Sequence, residues 1–436
     1  MTTDTKPRAS LRAALTPVSA LLFSVALLLM GNGLQGTLIP VRGNIEHFGH
    51  FELGLLGTGY FAGFTLGCIF GPMLLMKGGH IRTFMAMASV ASVIVLLHAI
   101  YLEPLVWTLL RGATGFCFAV LYVVIESWLN EKSTNENRGA VFSVYTVINL
   151  TVITMGQMMI SLDDPALFGL FALASILVSV ATLPVAFTSS AAPAIPGFVV
   201  PNLKELYRLS PVGFAGCLAV GLANGAFWTL APVFAQNEGL DLAAVGLFMS
   251  AVVIGGAISQ WPLGRLSDRM DRRYVIIGSS ALAAVAGVAL TFLAAKGGVW
   301  IFAIGACFGA GALPIYSLVV AHANDHTNPA DMVKISSGLL LTFGAGAALG
   351  PLVASAVRGL TTMPTLFLYT TAVNIVFIAF VCWRIRRRKP AGEKDRVKFN
   401  ESIINAQTVS PIATESATQP APAPPFAPAP TRKGDE

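Results

Sequence analysis

The sequence predicts an all-α polytopic membrane protein, with twelve transmembrane helices arranged as two parallel six-helix repeats. Three observations lead there. Hydrophobic residues make up 55% of the 436-residue chain and charged residues 11%, with a mean hydropathy of +0.70; a soluble domain carries about 25% charged residues. Apolar runs near the ~20 residues that cross a bilayer recur twelve times. One ten-residue stretch also occurs twice, as NGLQGTLIPV from Asn32 and NGAFWTLAPV from Asn224.

In chain order the expected spans are 15–40, 53–76, 83–101, 104–129, 139–161, 165–187, 210–235, 242–263, 274–295, 299–322, 332–357 and 363–384. The apolar part of the first is too long for a cleaved signal sequence, and no small-x-small site follows it. Residues 1–14 read as an N-terminal segment. The stretch 188–208, TSSAAPAIPGFVVPNLKELYR, reads as a linker between halves at 15–187 and 209–384. From 385 the chain is first basic and then Pro/Ala-rich, ending TQPAPAPPFAPAPTRKGDE. Such a tail cannot bury a core and is expected to be disordered.

Orientation follows from Lys and Arg. Loops on one side hold only Arg42, Lys296 and Arg358, whereas the side of the termini holds Lys6, Arg8, Arg12, Lys77, Arg82, Lys132 and Arg138 in the first half alone. That asymmetry puts both termini in the cytoplasm. Insertion alone accounts for the +6 net charge, so no nucleic-acid partner is expected. The expected form is a monomer surrounded by lipid. The five cysteines lie in apolar stretches without paired spacing, which argues against disulfides and a metal site.

The repeat sets the topology. The two ten-residue stretches agree at six positions, with Asn32 and Asn224 192 residues apart. Gly54-Leu55 and Gly246-Leu247 share that offset, and Thr134-Asn135 and Thr327-Asn328 repeat at 193. Six spans per half is even, so the halves share one orientation about an axis along the membrane normal. A substrate site then falls at their interface near the midplane.

Candidate site residues follow from polar groups at lipid depth, which are costly unless they face protein or water. Asn32, Gln35 and Asn224 either line a central cavity and bind a small-molecule substrate, or act as hydrogen-bonding glue between helices. Gly33, Gly36, Pro40, Gly225 and Pro232 are expected to let these helices bend. Trp228, one turn after Asn224, either stacks on a ligand or fills the interface. Arg111 in span 4 either meets an anionic group and lowers the pKa of a passing acid, or bonds carbonyls. Glu126 lies about 22 Å further along the same helix and is the only acid well inside a span. It either pairs with Arg82 or Arg138 as a gate, carries a proton, or reaches out at the helix end.

The segment GRLSDRMDRR, Gly264 to Arg273, sets an acid beside an arginine cluster at a helix end. Asp268 with Arg269, Arg272 and Arg273 is either a conformational latch or a topology signal. This segment closely resembles the G-x-x-x-D-R-x-x-R-R signature of the major facilitator superfamily, with Asp271 where that family usually has Gly. The first-half copy, GPMLLMKGGHIR, keeps Gly71, Lys77, Gly79 and Arg82, but Met76 stands where the family's Asp falls. Arg111 and Gly115 match an R-x-x-x-G pattern that the family associates with cation-coupled carriers. GAGAALGPL in span 11 is similar to a drug-antiporter element, but that element belongs to span 5, so close packing is the implied role of Gly346, Gly350 and Pro351. ESWLNEKSTNENRGAVFSVY and SQWPLGRLSDRMDRRYV together resemble the YcaD-like bacterial branch. The resemblance implies the major facilitator fold and rocker-switch alternating access.

The expected function is secondary active transport of a small organic solute, coupled to protons. The alternative is a transporter-fold receptor or scaffold acting through its Pro-rich tail, since such segments dock partners. No P-loop, HExxH, GxSxG or His/Cys cluster occurs, so no cofactor and no enzymatic activity are expected. His322 and His326 lie at a helix–loop edge and read as solvated.

Overall fold

The computed structural model describes residues 15–134, 137–188, 203–294, 298–325, 327, 332–359 and 365–387. The N-terminal segment, most of the linker, the Pro-rich tail, His326 and the repeated Asn135 and Asn328 lie outside the described residues.

Eleven helices are long and apolar enough to cross a membrane. One of them, His50–Ile100, has 51 residues and would reach about 76 Å at 1.5 Å per residue, far beyond a ~30 Å hydrocarbon core. Gly79 breaks it. Its backbone has φ 71°, a left-handed conformation that favours glycine, and the chain turns back there. The break makes spans 2 and 3 and brings the count to twelve. The others are span 1 (Ser19–Ile45), span 4 (Pro104–Lys132), span 5 (Arg138–Leu162), span 6 (Gly169–Ala186), span 7 (Pro211–Asn237) and span 8 (Leu242–Arg269). Span 9 (Arg272–Leu293), span 10 (Trp300–Asn324), span 11 (Met332–Gly359) and span 12 (Leu366–Arg387) complete the set. A short helix, Leu203–Leu209, precedes span 7 with Leu206 buried.

Local chemistry fixes the helix starts. Pro104 and Pro211 open spans 4 and 7, where a missing N–H costs nothing. Glu103 accepts from the Val106 N–H at 3.1 Å, Ser210 from Gly213 at 3.2 Å, and Asp241 from Ala244 at 2.7 Å. Each carboxylate or hydroxyl satisfies one donor that the helix leaves open.

Glycines set the packing. Gly59, Gly63 and Gly67 repeat every four residues on span 2, and a Cβ at any of them would collide with the span 4 backbone at Thr108, Gly112 or Phe116. Small residues at this spacing let helices approach closely in lipid. The same device recurs in the second half, where Gly255 meets the Ala306 carbonyl of span 10. Gly33 abuts Ile153 of span 5, and Gly225 abuts Ala347 of span 11. These two glycines are therefore contact points rather than the expected bends, and both first spans run as continuous helices through their prolines.

Helix pairs repeat between the halves: 1 with 5 and 7 with 11, 1 with 6 and 7 with 12, 3 with 6 and 9 with 12. Each pair maps onto its mate by adding six. Across the interface, span 2 packs on span 11 and span 5 on span 8, which exchange under the same operation. A pseudo-two-fold axis therefore relates the halves.

We call the side where the chain enters span 1 and leaves span 12 the terminal face, and the other the far face. Apolar packing differs between them. On the far face one cluster runs across both halves, from Leu38, Leu53 and Trp107 to Phe227, Phe248 and Phe367. Toward the terminal face there are two clusters. One holds only first-half residues such as Leu28, Phe118 and Trp128, and the other only second-half residues such as Val220, Leu318 and Phe377.

Candidate functional site

Along span 1, Asn32 and Gly36 are only partly buried within a run of buried neighbours. They lie one turn apart, and a Cβ at Gly36 would meet nothing within 4 Å. Along span 7, Asn224 and Trp228 form the matching half-open stripe. These four positions place an open face on each of the two symmetry-related helices. Gln35 does not join them. It is wholly buried, one turn after Gly31, whose face packs on Ala174 and Val178 of span 6. Its amide atoms find no hydrogen-bond partner among the described residues.

Arg111 sits behind the Asn32 stripe. Its guanidinium carbon lies 4.3 Å from the centroid of the Tyr60 ring, and the Tyr60 side chain neighbours that of Asn32. The R-x-x-x-G spacing explains the placement. A Cβ at Gly115 would overlap the Tyr60 carbonyl, so glycine there lets span 2 close on span 4, and Arg111, one turn earlier, covers the ring. Tyr60 was not singled out in the sequence, because nothing local to it announces a partner two spans away.

Glu126 is fully buried. It lies within electrostatic range of Tyr122 one turn earlier, Tyr145 of span 5, Cys68 of span 2 and, across the interface, Tyr316 of span 10. Among the described residues, no ion pair joins Glu126 to Arg82 or to Arg138. Arg82 is exposed, and the Arg138 Nε is buried without a hydrogen-bond partner. Glu126 lies about 9 Å inside the end of its helix at Lys132.

The arginine cluster has a different hub from the one expected. Arg272 donates to Asp325, the C-cap of span 10, at 2.8 Å, to Ser267 at 3.0 Å and to Asp268 at 3.3 Å. Asp325, which the sequence reading missed, is the buried partner, with 3% of its side chain exposed against 37% for Asp268. Asp271 caps span 9 and grips Arg273 at 2.6 Å, which accounts for an acid at the family's glycine position. Burial works to raise the Asp271 carboxyl, but the hydrogen bonds and charge of Arg273 outweigh it and hold it below the ordinary carboxylate value. Arg269 is exposed and takes no part in an ion pair among the described residues. The cluster ties spans 8, 9 and 10 of one half together.

His80 occupies the matching place in the first half, 192 positions before Arg272. It is buried, 3.1 Å from the Ser127 hydroxyl, 3.6 Å from the Glu131 carboxylate and stacked on Trp128 at 5.4 Å.

On the far face the halves touch directly. The Asn44 amide donates to Gln236 at 2.7 Å and to Asn237 at 3.2 Å, and Thr58 donates to the Ala348 carbonyl at 2.6 Å. Asn44 and Gln236 are 192 apart, so this contact joins symmetry mates on the axis. The repeated glycines belong here too. A Cβ at Gly54 would strike Ser355 and Pro351 of span 11, and one at Gly246 would strike Gln157 and Met158 of span 5. A shallow cleft of about 170 Å³ beside this closure is lined by His50, Asn237, Glu238, Ser355 and Arg358.

A family model described as Major Facilitator Superfamily matches residues 21–330 and 213–425. The chain belongs to the Major Facilitator Superfamily. Among superfamily relatives, the MFS-type transporter YcaD of Escherichia fergusonii is 24% identical over 365 residues, covering 83% of this chain and 94% of that one. An MFS-type transporter of Enterobacter sp. (strain 638) is 26% identical over 388 residues, 86% of this chain and 96% of that one. The nucleoside transporter NupG superposes with a TM-score of 0.71 at 13% identity, covering 86% of this chain and 100% of its own. A bacterial homologue of the human lysosomal transporter Spinster, in an inward-facing and occupied conformation, gives 0.67 at 16% identity over 87% and 97%. This superfamily member is an integral membrane protein of the transporter fold, and its relatives support a secondary transporter.

Proposed function

We propose that the chain carries a small organic solute across the bacterial inner membrane by alternating access, driven by protons, with both termini in the cytoplasm. The observation that supports this most is the asymmetry of packing between the faces. One apolar core joins the halves at the far face, whereas the cores at the terminal face stay separate. Such an arrangement is one of the two end states a rocker switch needs, open toward the cytoplasm. The half-open stripe of Asn32 and Gly36, facing its mate with Asn224 and Trp228, is the place where a solute binds between the halves. Glu126, a fully buried acid at lipid depth on span 4, is the proton carrier, since an intramembrane carboxylate is a natural site for loading and releasing a proton as access alternates. A proton-coupled precedent exists within the fold: one structural neighbour is a fucose:proton symporter of E. coli, with a TM-score of 0.53 at 14% identity.

The test is a disulfide lock. Asn44→Cys with Gln236→Cys, reconstituted in liposomes, is assayed for exchange of a panel of radiolabelled nucleosides, sugars, amino acids and carboxylates. Exchange of at least one should stop on oxidation and return on reduction. Exchange that survives a complete cross-link would refute alternating access through the far face.

A further inference from the structure

Arg111 is a permanent cation, more than nine-tenths buried, in the lipid-depth part of span 4. No carboxylate lies within ion-pair distance of it among the described residues, and its Nη1 has no hydrogen-bond partner. Among the described residues its charge-stabilising contact is the Tyr60 face at 4.3 Å, and a cation–π contact does not replace a counter-ion. A buried cation without an anion is strongly unfavourable, so a fold that keeps one is incomplete until an anion arrives. The ring covers one flat side of the guanidinium and leaves its edge with an unused donor. An edge with parallel N–H groups fits the paired oxygens of a carboxylate. Tyr60 lies between Arg111 and the neighbourhood of Asn32, whose partly open face with Gly36 faces the space between the halves. Beyond Tyr60, the rings of Phe64 and Tyr122 continue along the same wall at centroid separations of 6.1 Å.

We infer that the solute is a small organic anion whose carboxylate docks on the Arg111 edge while its apolar body lies along Tyr60, Phe64 and Tyr122. The inference rests on the transporter reading for its biological meaning, but its test reads binding alone, so it can stand or fall separately. Purified wild-type protein is heated with 4-hydroxybenzoate, with 4-hydroxybenzamide, with 4-hydroxybenzylamine, with chloride and with inorganic phosphate. The carboxylate should raise the melting temperature, whereas the isosteric amide and the amine should not. Stabilisation by phosphate or chloride equal to that by the carboxylate would make the site one for simple ions and overturn the organic-anion class. Arg111→Gln should abolish the carboxylate effect, and Arg111→Lys should retain a weaker one. The ligand-free Arg111→Gln protein should melt at or above the wild-type temperature, because the uncompensated charge is gone. A clear drop in its melting temperature, or stabilisation by the amine or the amide to the same extent as the carboxylate, would show that Arg111 is a structural cation and end the proposal. Proteoliposome exchange measured in parallel keeps the two readings apart: carboxylate binding without any exchange would count against transport alone.

Discussion

Asp325, rather than Asp268, is the acid on which the Arg272 cluster depends. Arg272 and Asp325 are almost wholly buried, while Asp268 keeps more than a third of its side chain in solvent. Removing one member of a buried pair costs about 3–5 kcal/mol, because the other charge is stranded; an exposed pair contributes about 0–1 kcal/mol. Asp325→Asn should therefore lower the melting temperature sharply, and Asp268→Asn should lower it little. Equal losses in the two variants would contradict that ranking. Asp271 gives a pH counterpart. Its folded-state carboxyl sits below the ordinary value, so its contribution to stability is present above the unfolded carboxylate pKa of about 3.9 and is lost as pH falls through the folded value. Thermal melts from pH 6 down to pH 3 should show an acid-dependent loss that is smaller in Asp271→Asn. At this scale the sequence was only partly legible. The acid–arginine cluster announced itself by local spacing. Asp325 and Tyr60 did not, since their partners lie 53 and 51 residues away on other helices. Gln35 misled for a related reason: a span buried on nearly every side gives no periodicity from which to read which polar group faces the opening.

At the scale of helices, glycines set how closely the spans of opposite halves approach. Gly54 and Gly246 each admit a helix of the opposite half at the far face. A bulky side chain there overpacks a close contact, at a typical cost of about 1–3 kcal/mol, and under the proposed alternating access that cost would fall on the conformation with this face closed. Gly54→Leu and Gly246→Leu should fold and shift the population toward far-face opening. A cysteine placed at Gln236 would then react faster with a membrane-impermeant maleimide in both variants. Unchanged labelling would mean that the two glycines serve general packing. Span count and repeat were legible because both rest on backbone-level requirements: apolar length, and small residues where helices cross. The break at Gly79, which separates spans 2 and 3, was legible from the short polar KGGH turn between apolar runs. The swap of His80 for Arg272 between the halves was hidden until the offset was applied to the structure.

For the whole molecule, the proposed proton-carrying role of Glu126 would separate coupling from movement. Proton loading at a carboxylate should be dispensable for exchange and required for uphill accumulation. Glu126→Gln should keep solute exchange in proteoliposomes and lose accumulation driven by a pH gradient, whereas loss of both together would place Glu126 in the solute site or in the structural core. The movement itself is the central claim, and it is read most directly as a distance. Phe51 and Ala243 are exposed symmetry mates at the far-face starts of spans 2 and 8. Spin labels at Phe51→Cys and Ala243→Cys, with Cys307 and Cys382 changed to serine, report the separation of the halves by pulsed electron resonance. Two populations are expected, one short and matching the closed far face, the other longer, with the balance shifting when 4-hydroxybenzoate or a change of pH is applied. A single short distance that neither ligand nor pH changes would contradict alternating access.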